Sequence, residues 1–185
     1  VQPDLVVVAG DWTYEPENKL AQELAVLKEI HAPVYSVNGN HDEQYPGPPI
    51  QELLRYALQV NQVMDIEGQI VEFDEFRLLG VGDLWAGKAD MRSLPDLPQD
   101  KPWVILSHNP DTVDMLTQLA MMIRHPRIPD SLIGLNVAFD DEQGERRLMQ
   151  GKVNLEKAKK IAAAADVQLA TISRVSNNVA SGIVH

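Results

Sequence analysis

The chain has 185 residues, 44% of them apolar and 23% charged, values that suit a globular fold with one sizeable core and argue against two full domains or a disordered chain. Its 16 basic and 27 acidic residues give a net charge of −11, which excludes general coating of nucleic acid, since neutralising phosphates takes a surplus of cations. With no cysteine there is no disulfide, thiolate zinc site or cysteine nucleophile, and no run approaches the roughly 20 apolar residues that a membrane span needs.

The first residues enter a strand with no basic region or cleavage site before it, so no targeting segment is expected. Asp4 to Ala9 is a short apolar run ending in Gly10-Asp11, read as a strand covered on both faces. Between Pro16 and His31, Leu20, Leu24, Leu27 and Ile30 recur at three- and four-residue spacing, which predicts an amphipathic helix ending before Pro33. Val34 to Val37 supplies the next strand and completes a strand, helix, strand unit with parallel pairing. Helical spacing returns from Ile50 to Val60. Period-two patterning over Gln69–Phe73 and Arg77–Val81, around Asp74-Glu75, predicts a hairpin. Trp103 to Leu106 reads as another buried strand, followed by a helix over Thr112–Met121.

Past Arg124 the character changes. Residues 1–120 carry 7 basic and 20 acidic side chains, net −13, whereas residues 121–185 carry 9 and 7, net +2. Ser131–Phe139 is expected as a strand, Asp140–Glu145 as a polar turn, and Asn154–Ala165 as a helix capped by Asn154 with a Glu156/Lys160 pair. The division read from sequence is therefore a domain over 1–123 and a divergent C-terminal segment of strand and helices over 124–185.

Three polar clusters each follow an apolar strand: Gly10-Asp11, Gly39-Asn40-His41-Asp42 and Ser107-His108-Asn109-Pro110. In a sheet flanked by helices, ligands collect at strand carboxyl ends, so residues far apart in sequence converge there. Asp11, Asn40 and His108 offer a carboxylate, an amide oxygen and an imidazole, a donor set suited to Mn, Fe, Zn or Mg. His41 is left for acid–base work.

These clusters, in this order, resemble the second, third and fourth motifs of the calcineurin-like metallophosphoesterases. Leu79-Gly80-Val81-Gly82-Asp83-Leu84-Trp85 and Asn109-Pro110-Asp111 further resemble the bacterial branch that holds phosphodiesterases and lipid-linked pyrophosphatases. The resemblance covers residues 3 to 120. It implies a layered α/β fold, a β sheet flanked by helices, present in part and followed by a helical C-terminal extension. It also implies a dinuclear site with divalent metal ions, in which Asp11 bridges, Asn40 and His108 bind the second ion, and His41 protonates the leaving oxygen. The expected activity is hydrolysis of a phosphodiester, phosphomonoester or pyrophosphate bond in a small or lipid-linked substrate, in the bacterial cytoplasm or at the membrane periphery.

The sequence departs from the family pattern at both ends. The first motif, an Asp-x-His, has no counterpart, and of the closing Gly-His-x-His only His125, in Ile123-Arg124-His125-Pro126, can stand for a member, with Arg127 in the other position. Asp11, Asn40, His108 and His125 would then hold one ion, while the other keeps Asp11 alone. Tyr14 stands where phosphatase members carry an aspartate that orients the catalytic histidine. A catalytically inactive binding or structural relative is the alternative. A further one is a DNA-binding helix-turn-helix over Ile161–Asn178, with Leu169 to Val175 as recognition helix and Asp166 in place of the turn glycine. Trp12 and Trp85 read as core residues or cleft wall.

Overall fold

The computed structural model describes residues 3–13, 16, 18–43, 50–90, 98, 100–123, 132–139 and 144–176. The chain divides into two compact units, Val1–Met91 with Val104–Asn109, and Arg92–Trp103 with Pro110–His185.

The first unit holds two sheets. β1 (Val6–Ala9), β2 (Val34–Val37) and β3 (Val63–Asp65) are parallel in that order. β4 (Ile70–Glu72), β5 (Arg77–Val81) and β6 (Trp103–Ser107) form the second sheet, with β4 and β5 antiparallel. Alternation along β1 and β2 sends side chains into two different cores. Val6, Val8 and Val34 meet the helix layer built from Leu20, Leu54, Ala57 and Leu58. Val7, Tyr35 and Val37 face Ile66, Leu78 and Leu106 between the sheets. Every residue of β2 is buried, because it has a strand on each side and a core on each face. β1 touches both cores yet stays half-buried over Val6–Val8, since it ends the described strand order. β6 is likewise an outer strand: only Leu106 is buried and Val104 is 44% exposed, in place of the buried run read from sequence.

The helix expected over residues 16–31 is an α-helical turn, α1 (Leu20–Glu23), that tightens into a 3₁₀ helix over Leu24–Glu29. Leu24, Leu27 and Ile30 are three apart, the repeat of a 3₁₀ helix, so the same apolar stripe serves the tighter winding. α2 (Gln51–Val60) follows as expected, burying Leu54, Ala57 and Leu58.

The second unit contains a 3₁₀ turn (Pro110–Thr112), α3 (Val113–Ile123), β7 (Leu132–Phe139), α4 (Gly144–Ala164) and β8 (Leu169–Ser176). β7 and β8 pair in parallel from Leu132↔Leu169 to Phe139↔Ser176, with α4 as the connection. This corrects three expectations. Asn154 lies in the middle of α4 rather than at its cap, and its side chain accepts a hydrogen bond from Gln150 one turn earlier. Glu156 pairs with Lys159, at 2.9 Å, instead of Lys160. Leu169–Val175 belongs to a strand, so the segment is no helix-turn-helix. Helix α4 ends where Val167 N–H bonds Ala162 C=O and Asp166 N–H bonds Ala163 C=O, with Asp166 left-handed at φ 58°. The β-branched residues Thr171 and Ile172 then continue as strand. Among the described residues no helix is long and apolar enough to cross a membrane.

Candidate metal centre

The carboxyl ends of β1, β2 and β6 carry the site, all within the first unit. After β1 the chain turns through two left-handed residues, Gly10 at φ 80° and Asp11 at φ 58°. That turn packs against the loop after β2 at very close range. A Cβ on Gly10 would overlap Gly39 N and stand 2.6 Å from the Asn38 carbonyl carbon. A Cβ on Gly39 would overlap Asp11 Oδ1 and stand 2.8 Å from His108 Cε1. Glycine at both positions is therefore what lets the three loops meet.

The structure brings Asp11, Asn40 and His108 together as the sequence anticipates. His108 Nδ1 lies 2.6 Å from the Ala9 carbonyl, which only accepts, so Nδ1 carries the hydrogen. The other nitrogen, Nε2, then presents a lone pair in the neutral ring. It stands 3.0 Å from Asn40 Oδ1 and 3.4 Å from Asp11 Oδ1. Three lone pairs facing one another repel unless the ring takes a second proton, the Asn40 amide turns its NH₂ toward the ring, or a cation sits among them. Metal–donor bonds of about 2.0–2.2 Å at tetrahedral to octahedral angles place neighbouring donors roughly 2.8–3.6 Å apart, and both separations fall in that range. A ligating histidine that donates its far N–H to a backbone carbonyl is also the usual second-layer arrangement. The donors thus fit a divalent cation. Among the described residues no group of three His, Asp or Glu side chains gathers, and the third polar atom beside His108 Nε2 and Asp11 Oδ1 is the Asn40 amide oxygen.

Asp11 is half open to solvent, its side chain 39% exposed, while that of His108 is 17% exposed. His41 is exposed, and its backbone N–H donates to Asp11 Oδ1 at 3.2 Å, which ties the candidate acid to the candidate ligand. His125, Tyr14, Glu15 and Arg127 lie outside the described residues. Trp12 packs on the helix-layer core and donates its indole N–H to Ser36 Oγ at 2.6 Å, a core role.

Two buried acids support the site, and neither drew a role from sequence. Asp42 is fully buried and accepts from Gly39 N–H at 2.8 Å and Thr13 N–H at 3.2 Å, joining the loops after β1 and β2. Burial pushes its carboxyl up to about 6 against the pull of the Gly39 N–H, the Asp11 charge adds to the rise, and the Asp11 and Thr13 N–H groups oppose it. Glu43 accepts from Lys88 Nζ at 2.6 Å, Gln51 Nε2 at 3.0 Å and Asn38 Nδ2 at 3.1 Å. Burial raises its carboxyl, but these three donors together bring it below the ordinary carboxylate value. Lys88 is raised, with burial opposed by Glu43 and Glu67. The only sequence cue for Asp42 was its place in the Gly39–Asp42 run, and Glu43 and Lys88, 45 residues apart, left none.

A model of the family described as calcineurin-like phosphoesterase matches residues 1–153, which takes in both sheets of the first unit, α3, β7 and the start of α4. Phosphodiesterase YaeI of Escherichia coli (strain K12) is 28% identical over 123 residues, 62% of this chain and 44% of that protein. The chain thus spans less than half the length of this curated relative. No solved structure matches it.

Proposed function

The chain belongs to the calcineurin-like phosphoesterase family, and from that membership and the three facing lone pairs we propose that it hydrolyses a phosphoric ester or pyrophosphate bond with divalent metal. The observation that carries the reading is His108 Nε2, the accepting nitrogen in the tautomer that the Ala9 carbonyl selects, set 3.0 and 3.4 Å from two further oxygen donors.

In this reading Asp11, Asn40 and His108 hold a cation of the Mn, Fe, Zn or Mg class, and His125 is a fourth donor in the family's dinuclear arrangement. The metal supplies Lewis acidity at the phosphoryl oxygens and a nucleophile active at neutral pH. Asn40 contributes an oxygen without adding negative charge, which suits an anionic substrate approaching a chain of net charge −11. His41, on the exposed side beside Asp11, holds a proton for the departing oxygen. Asp42 fixes the backbone of Gly39 and Thr13, so that the Asp11 and Asn40 loops keep their spacing. The substrate is a phosphorylated small molecule or a lipid-linked phosphate, and a diester is the first to try, because the similar protein is named a phosphodiesterase.

The test is Mn²⁺ titration of the dialysed protein by calorimetry, paired with hydrolysis of bis(4-nitrophenyl) phosphate. Parent protein is expected to bind and turn over. His108→Ala should lose Mn²⁺ affinity, and His41→Asn should retain it while losing roughly 10²–10⁴-fold in kcat. Equal affinity and turnover in His108→Ala refutes the reading. Mn²⁺ binding by the parent without hydrolysis assigns the chain to a non-catalytic, metal-holding role.

A further inference from the structure

The loop after β5 reaches the site through one ion pair. Glu43 closes the turn that carries Asn40 and His41: its N–H bonds Gly39 C=O at 3.0 Å, so residues 39–43 form a single helical turn. The Glu43 side chain is 2% exposed and both of its carboxylate oxygens are occupied, Oε1 by Lys88 and Asn38 and Oε2 by Gln51. Lys88 also stands 3.2 Å from Glu67 Oε1. Its own backbone is fixed. Lys88 N–H bonds Asp83 C=O at 2.9 Å, and the fully buried Asp83 accepts from Ala86 N–H at 2.8 Å. A Cβ on Gly82 would stand 2.8 Å from both Lys88 Cβ and Lys88 O, so the glycine admits the lysine's return over the strand end.

We propose that Lys88 is a positioning residue of the metal centre: through Glu43 it holds the Gly39–Glu43 turn, and hence Asn40 and His41, in register with Asp11 and His108. The inference rests on the reading of the site as a metal-dependent hydrolase centre. The Gly82-Asp83 segment thereby gains a task, as the rigid mount of a lysine that braces the catalytic turn. Its other brace, Asp42, acts on the opposite loop, so the turn is held from two sides by buried acids with separate partners. A turn held on one side only would let the Asn40 oxygen and the His41 ring drift, and misplacement of about 1 Å costs roughly 100-fold in rate.

Lys88→Met keeps an unbranched side chain one atom shorter and removes the charge. The prediction is a fall in kcat of about 10–100-fold on bis(4-nitrophenyl) phosphate with KM within about twofold, and Mn²⁺ affinity weakened by about 10-fold. Lys88→Arg, which keeps the charge, should restore kcat to within about threefold of the parent. Lys157→Met, which breaks the ion pair with Asp114 in the second unit, is the control and should change neither quantity. Should Lys88→Met fold poorly, Lys88→Arg beside Glu43→Gln carries the test: the first is expected near parent kcat and the second reduced at unchanged KM. Parent activity or Mn²⁺ binding together with unchanged kcat and affinity in Lys88→Met, or in Glu43→Gln where that pair stands in, overturns the positioning role alone. A parent that neither binds Mn²⁺ nor turns over overturns the hydrolase reading and this inference with it.

Discussion

Gly39→Ala adds one methyl group where three loops converge. The new carbon would overlap the Asp11 carboxylate oxygen and lie 2.6 Å from Asp11 N and 2.8 Å from His108 Cε1, against ordinary contacts that begin at 3.4 Å. Relief requires shifts of about 0.6–0.8 Å at His108 Cε1 and Asp11 N and a larger one at the Asp11 carboxylate oxygen, and overpacking of this kind costs about 1–3 kcal/mol of stability. The larger effect falls on the site. A metal–donor bond is about 2.1 Å long, so moving a donor by a third of that distance removes it from the coordination shell, and we expect Mn²⁺ affinity to fall by at least about 10–100-fold. Calorimetric titration reads the affinity and urea unfolding reads the stability. Gly68→Ala separates the two effects, because Gly68 has a left-handed φ of 68° with nothing within 4 Å of a Cβ. It should lose about 1 kcal/mol of stability and keep full Mn²⁺ affinity. Parent-like Mn²⁺ binding by Gly39→Ala, or equally weakened binding by Gly68→Ala, refutes a steric role for Gly39 at the site.

Two more expectations concern stability. Because the Glu43 carboxyl sits below its unfolded value of 4.5, its contribution is present above that pH and disappears as pH falls through the lower folded value. Lys88, raised above 10.5, contributes below that pH and loses its contribution as pH rises through the folded value. Metal-free parent should therefore lose stability more steeply than Glu43→Gln in urea unfolding below pH 4.5, and superimposable acid limbs would contradict this. Asp42 and Glu67 are shifted upward and act with the opposite sign; the Asp42 shift draws nothing from Glu43 and is common to both proteins, while Glu67 is released in the variant from the Glu43 charge that helps raise it. Asp166→Gly replaces a left-handed aspartate at the end of α4 and should raise stability by about 0.5–1 kcal/mol. A loss of the same size would deny that the helix ends there.

The meeting of the loops after β1 and β2 was legible because parallel strands with a helical connection bring their carboxyl ends to one edge, whereas β6 belongs to the other sheet and the place of His108 beside Asp11 and Asn40 is a finding of the structure. The braces were hidden. Asp42 and Glu43 gain their roles from backbone groups and from a lysine in the loop after β5, which no spacing reveals. Strand β3 escaped notice because it is three residues long and follows Gln62, which adopts φ 63° without the glycine that normally marks such a turn. The stretch from Leu169 to Ser176 misled for a related reason. Its small and β-branched residues satisfy a recognition-helix pattern as well as a strand, and only pairing with β7 decides between them. Asn154 looked like a cap because its side chain favours caps, yet a helix already running from Gly144 carries it through.

Local preference and chemistry disagree at Asp11. Judged by backbone comfort alone, a residue with φ 58° directly after Gly10 would also be glycine, and the chain keeps a carboxylate there despite a conformational penalty of about 1 kcal/mol. A sequence selected only to fold would erase the carboxylate proposed as a metal ligand. Variants recovered for thermal resilience should thus accumulate Asp11→Gly, giving up the proposed metal ligand for ease of folding at a single codon.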